Sequence, residues 1–141
     1  MKIFVISGAH SNVGKTQLAR AICAMLPGST YVKIGHGKRK PDVDGAFYHL
    51  ETPFSIIAAD HKNAETLVIE SNSILGEIRP DCTVYLPSEN PKPSAALARG
   101  KADIIRGEKA GDDKIAQLST RLALPVSTIV EIVRCVERSK H

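Results

Sequence analysis

Gly14-Lys15-Thr16, preceded by Ser7-Gly8-Ala9-His10-Ser11-Asn12-Val13, combines residue types that can hold phosphate. The spacing is the relaxed form of G-x-x-x-x-G-K-[ST], with Ala9 where the first glycine usually stands and Gly8 one residue earlier. Successive backbone N–H groups of a tight loop, joined by the unpaired N–H groups at a helix start, make a concave, positively polarised nest for phosphate oxygens. Asn12, Val13, Gly14, Lys15, Thr16 and Gln17 would line it. Lys15 adds a point charge on the terminal phosphates, which is a catalytic role when a phosphoryl group leaves, and the Thr16 hydroxyl can bind Mg²⁺. His10 lies inside the loop, where it either donates to phosphate or faces solvent.

Such a site needs an acid near the cation, held rigidly. Glu70, closing the apolar run Leu67-Val68-Ile69, is placed for that: it would hold a metal-bound water or orient an attacking one. An ordinary strand-terminal glutamate is the alternative. A second constellation runs from Lys33 through His36, Lys38, Arg39 and Lys40 to Asp42 and Asp44. Its cations suit a second, phosphate-bearing ligand, and its carboxylates at i, i+2 offer Asp44 as a further Mg²⁺ ligand beside Thr16 and Glu70. A solvated basic turn is the plainer reading of the same charges. His49 and His61 have no spacing that argues for a metal.

The elements that must position these groups are legible. An apolar run over 2–7 predicts a first strand, and Leu18, Ile22, Met25 and Leu26 mark one face of a helix over 15–26. Pro27-Gly28 ends that helix, and Thr30 to Gly35 predicts a second strand. His36 to His49, polar and broken by Pro41 and Gly45, is expected to be a loop. A short helix over 53–62, a strand from Thr66 to Glu70, a helical turn from Ser73 to Ile78 and a strand from Cys82 to Leu86 come next. A short helix from Ser94 to Arg99 and a fifth strand from Ala102 to Arg106 complete the alternation. Short β-branched runs separated by helices predict an α/β fold of three layers, a mostly parallel sheet with helices on both faces. Ligands of such sheets gather at the carboxyl ends of the strands, where the phosphate loop begins.

Ile115, Leu118 and Leu122, then Val126, Ile129, Val130 and Val133, predict two amphipathic helices within 113–138, joined around Ala123-Leu124-Pro125. Their wording resembles the helix-turn-helix of some bacterial regulators. With no third helix to complete a separate core, and with Glu131 and Glu137 on the would-be reading helix, a helix pair packed on the sheet is the expectation.

A chain of 141 residues is one domain's worth, 1–141. No apolar stretch approaches the roughly 20 residues that span a bilayer, so no membrane partner is expected. The first apolar run is strand-length and ends in the phosphate loop, which predicts a cytoplasmic protein. Cys23, Cys82 and Cys135 are far apart and set in apolar patterns, as reduced core thiols are. The net charge of +4 is concentrated around Lys33 and Lys38-Arg39-Lys40, which a local anionic ligand explains better than nucleic acid does.

The phosphate loop, then a strand running into KIGHGKRKPDVDG, then TLVIES, occur in the order found in the molybdopterin-guanine dinucleotide biosynthesis protein B family. The chain resembles that family over roughly residues 1–72. The resemblance implies a P-loop NTPase fold, a GTP-binding protein with weak hydrolysis, often dimeric, that assists a cofactor-assembly enzyme attaching a nucleotide to molybdopterin. It also implies that Lys33 and His36 match the family's Lys-His segment, Asp42 and Asp44 its acidic pair, and Glu70 its strand-end glutamate. Ser71-Asn72 stands where that family has Gly-Phe. Two other functions fit the residues: a small-molecule kinase with its acceptor on residues 36–40, and a nucleotide-sensing regulator acting through 113–138. The choice between GTP and ATP is open, since no Asn-Lys-x-Asp signature occurs and SENPKPSA is suited to a base only by position.

Overall fold

A computed structural model describes residues 1–9, 14–36 and 46–139. In chain order the elements are β1 (Lys2–Gly8), α1 (Lys15–Met25), β2 (Ser29–Gly35), β3 (Ala46–His49), α2 (Phe54–Asp60), β4 (Thr66–Glu70), a 3-10 turn (Ser73–Gly76), β5 (Cys82–Leu86), α3 (Ala95–Gly100), β6 (Ile104–Ile105), α4 (Asp112–Leu122) and α5 (Val126–Arg138). The strands form one six-stranded sheet in the order β3-β2-β4-β1-β5-β6, with every pairing parallel. Helices cover both faces, so the fold is the expected three-layer α/β arrangement.

The apolar runs stay uninterrupted because both faces of the central strands are buried. Phe4, Ile6, Tyr31, Val68 and Val84 point to one face, where they meet Leu18, Ala19 and Ile22 of α1. Leu118 and Leu122 of α4 and Ile129, Ile132 and Val136 of α5 fill the rest of that core. Val5, Val32, Ile34, Leu67, Ile69 and Tyr85 point the other way, onto Ile57 of α2 and Ala95 and Ala98 of α3. A fully buried aliphatic side chain such as Ile22 contributes about 1.5–3 kcal/mol relative to exposure.

The C-terminal helices thus close the flank of the sheet, with their apolar stripes spent on the core. Ala123, between them, is left-handed at φ 54°. The Leu124 N–H donates to the Ser119 carbonyl and the Ala123 N–H to the Thr120 carbonyl, the two-bond pattern that satisfies the last carbonyls of a helix. Pro125 then prevents α4 from continuing.

One expectation is overturned. Within the loop expected over His36 to His49, residues Ala46–His49 form β3, which pairs in parallel with β2 from Val32↔Ala46 to Gly35↔His49. An edge strand needs a ladder on one side only, and Phe47 and Tyr48 favour extended backbone, so four residues suffice beside a strand already in place. The remainder of that segment, 37–45, lies outside the described residues. Some elements are shorter than expected: α2 ends at Asp60, the 3-10 turn at Gly76, and β6 keeps only Ile104–Ile105, although the Arg106 N–H still donates to the Tyr85 carbonyl at 3.1 Å. Among the described residues, no helix is long and apolar enough to cross a membrane.

Candidate functional site

β1 delivers the chain to the carboxyl edge of the sheet at Gly8 and Ala9, both buried. The Ala9 N–H donates to the Leu86 carbonyl at the end of β5, and the Lys92 N–H donates to the Ala9 carbonyl at 2.7 Å, so the loop begins in a fixed position. The chain re-emerges at Gly14 with φ 95°, a left-handed conformation that glycine adopts without strain. Gly14 caps α1: its carbonyl accepts from the Leu18 N–H, while no side chain caps the helix and its first turn carries no acid. Among the described residues, the N-terminal N–H groups of α1 thus have no side-chain cap, and the first turn holds no acid to answer the positive end of the helix dipole.

Glu70 ends β4, which lies between β1 and β2 with Glu70 level with Ile6 on one side and Lys33 on the other. The two-residue period of a strand puts Glu70 on the same face as Val68, beneath the start of α1. Thr16 donates its hydroxyl to Glu70 Oε1 at 2.7 Å, Tyr31 donates its phenol to the same oxygen at 2.6 Å, and Lys33 Nζ stands 3.4 Å from Oε2. Glu70 is only 5% exposed; a buried carboxylate is costly, and these donors replace the water it has lost.

Lys15 is the second charged group of the cluster. Its partial burial pulls the ammonium below its ordinary value, the attraction of Glu70 opposes that, and the nearby charges of Lys92 and Lys33 add to the lowering. Among the described residues, Lys33 and Lys92 add their charges to that of Lys15 beside the Glu70 carboxylate at the strand ends.

Of the residues expected to carry chemistry, Gly14, Lys15, Thr16, Lys33 and Glu70 are brought together. Gln17 on α1 and His36 just past β2 are exposed. Asn12, Val13, Lys38, Arg39, Lys40 and Asp44, with His10 and Asp42, lie outside the described residues.

Three residues of the site were not anticipated. Tyr31 could have been read from the strand period, since it precedes Lys33 by two. Asn72, two residues beyond Glu70, uses its side-chain amide on Gly8 and also donates to Ser94 Oγ at 3.3 Å. Lys92 gave no local signal, because only the packing of the segment after β5 brings it to Ala9 and the start of α1.

The donor set suits Mg²⁺. That ion takes hard oxygen ligands, usually one or two from protein and the rest from phosphates and water. The Thr16 hydroxyl and the Glu70 carboxylate are such donors in contact with each other. Among the described residues, no group of three or more His, Cys, Asp or Glu side chains is placed to hold a metal ion by itself.

No protein-family model, curated protein or solved structure matches this chain.

Proposed function

We propose that this chain binds a nucleoside triphosphate, GTP or ATP, together with Mg²⁺ at the carboxyl edge of its sheet and hydrolyses it slowly. The observation that carries the reading is the 2.7 Å hydrogen bond from Thr16 to Glu70, which joins the first turn of α1 to the end of β4 at the point where the phosphate loop closes. A glycine-lysine-threonine turn by accident would have no need of a buried carboxylate under its threonine.

In this reading the backbone at Gly14 and the start of α1 hold phosphate oxygens, and Lys15 places its charge on the terminal phosphates. Mg²⁺, when bound, would spread the negative charge of the phosphates. Thr16 offers it an oxygen, and Glu70 holds Thr16 and its water shell in place. Because both oxygens of Glu70 already have donors, it is poorly placed to take a proton from an attacking water, which supports slow hydrolysis.

The order of motifs supports a role in assembling molybdopterin guanine dinucleotide, as a cytoplasmic accessory factor to the enzyme that attaches the nucleotide, in a homodimer. The experiment is the shift of melting temperature with each nucleoside triphosphate, with and without Mg²⁺, since a ligand of the folded state stabilises it by mass action. Stabilisation that requires both nucleotide and Mg²⁺ is expected; no shift with any nucleotide would overturn the reading. Loss of molybdopterin guanine dinucleotide in cells lacking the chain tests the pathway separately.

A further inference from the structure

Tyr31 sits in a layer of apolar side chains. It is 7% exposed, and its neighbours on that face of the sheet include Phe4, Ile6 and Val68. A phenylalanine would fill the same space with no polar group to satisfy, so the hydroxyl has to be explained by its partner. That partner is Glu70 Oε1, at 2.6 Å.

The same oxygen accepts the Thr16 hydroxyl, whereas Oε2 has, among the described residues, the longer contact with Lys33. The orientation of the carboxylate is therefore set at Oε1. A hydroxyl has one proton and two lone pairs. With its proton committed to Glu70, Thr16 directs its lone pairs away from the carboxylate, which is the arrangement a cation ligand needs. Removing the phenol would take away one of the two hydroxyl donors that hold Oε1, leaving Thr16 and the longer Lys33 contact to orient Glu70, and Thr16 would have a less firmly fixed acceptor.

We propose that Tyr31 is a positioning residue of the nucleotide site: by holding Glu70 Oε1 it fixes the Thr16 hydroxyl as a ligand for the divalent cation that accompanies the phosphates. This rests on the nucleotide-binding reading above. Tyr31 is not a catalytic residue, because its phenol acts on Glu70 and on the adjacent Thr16 hydroxyl rather than on the ligand. Burial, reinforced by the bond to Glu70, pushes the phenol well above its ordinary value, so Tyr31 remains a donor throughout the working pH range.

The test compares wild type with Tyr31→Phe in the full chain. Melting temperatures are recorded at saturating ATP or GTP while Mg²⁺ is titrated, and again without ligand. The ring is retained, so the variant keeps its core. The Mg²⁺ concentration for half-maximal stabilisation should rise about tenfold in Tyr31→Phe, about 1.4 kcal/mol, with nucleotide affinity in the presence of a chelator unchanged. The chain contains no Trp and three Tyr, so tyrosine emission gives a second readout. Binding of Mg²⁺ and nucleotide should change the emission of wild type, and the part of that change due to Tyr31 should vanish in the variant. A variant that melts lower without ligand yet needs the same Mg²⁺ would reduce Tyr31 to a structural role and overturn the proposal. If wild type itself gains no Mg²⁺-dependent stability from nucleotide, the proposal falls together with the reading beneath it.

Discussion

Asn72 holds Gly8 by both ends of its side-chain amide: the Gly8 N–H donates to Oδ1 at 2.9 Å, and Nδ2 donates to the Gly8 carbonyl at 2.8 Å. Gly8 offers one donor and one acceptor, so only an amide in this orientation answers both. Through Ser94 the same amide also ties in the segment that carries Lys92. The start of the loop between β1 and α1 is thus fixed to the end of β4, two residues from Glu70.

Asn72→Ala should therefore lower stability by about 2 kcal/mol, the net worth of two ordinary hydrogen bonds with buried partners left unsatisfied. It should also weaken nucleotide binding, because the loop start loses its anchor. Asn72→Asp should recover little, since a carboxylate cannot donate to the Gly8 carbonyl. Chemical denaturation with nucleotide titration reads both effects, and a fully stable Asn72→Ala protein would contradict the role.

Lys15 should oppose stability while serving binding. Its folded-state pKa lies below the ordinary 10.5, with burial as the leading cause, so the unfolded chain holds that proton more tightly than the folded one. The resulting cost to stability is largest below the folded pKa and disappears as pH rises toward 10.5. Lys15→Met should raise the melting temperature of the ligand-free protein near neutral pH, and the gain should shrink with increasing alkalinity. The same substitution should weaken binding of a nucleoside diphosphate by about 2–3 kcal/mol, the scale of charge-assisted hydrogen bonds. Calorimetric titration that finds equal affinity would refute the phosphate contact.

Glu70→Gln keeps the shape but removes the charge that Lys33 and Lys15 face. Turnover and Mg²⁺ dependence should suffer far more than nucleotide affinity measured without metal. Unchanged hydrolysis and unchanged Mg²⁺ dependence would show that the carboxylate serves packing alone.

Ala123→Gly addresses the fold by itself. Left-handed backbone costs a non-glycine residue about 1–2 kcal/mol, while glycine's extra freedom in the unfolded chain costs about 0.4–1 kcal/mol. The balance favours glycine, and the variant should be more stable by roughly 0.5 kcal/mol. A lower denaturation midpoint would mean that the joint between α4 and α5 is not strained at φ 54°.

What the sequence determined by itself is what local periodicity and local turn chemistry encode. The apolar run ending at Ser7-Gly8, the Gly-Lys-Thr turn and the one-sided stripe from Leu18 to Leu26 predict strand, loop and helix, because each depends on residues a few positions apart. Glu70 was legible as a strand-end carboxylate for the same reason, and the apolar faces of α4 and α5 required a core to cover them. Which strands lie side by side was decided by the tertiary structure. Placing β4 between β1 and β2 sets Lys33 level with Glu70 and brings Tyr31 and Thr16 to one carboxylate oxygen, from elements dozens of residues apart. Register is a property of backbone hydrogen bonds between strands, and no window along a single chain contains it. β3 follows the same rule: Ala46–His49 sits among polar residues and turn formers, and it becomes a strand because β2 offers it an open edge of N–H and C=O groups.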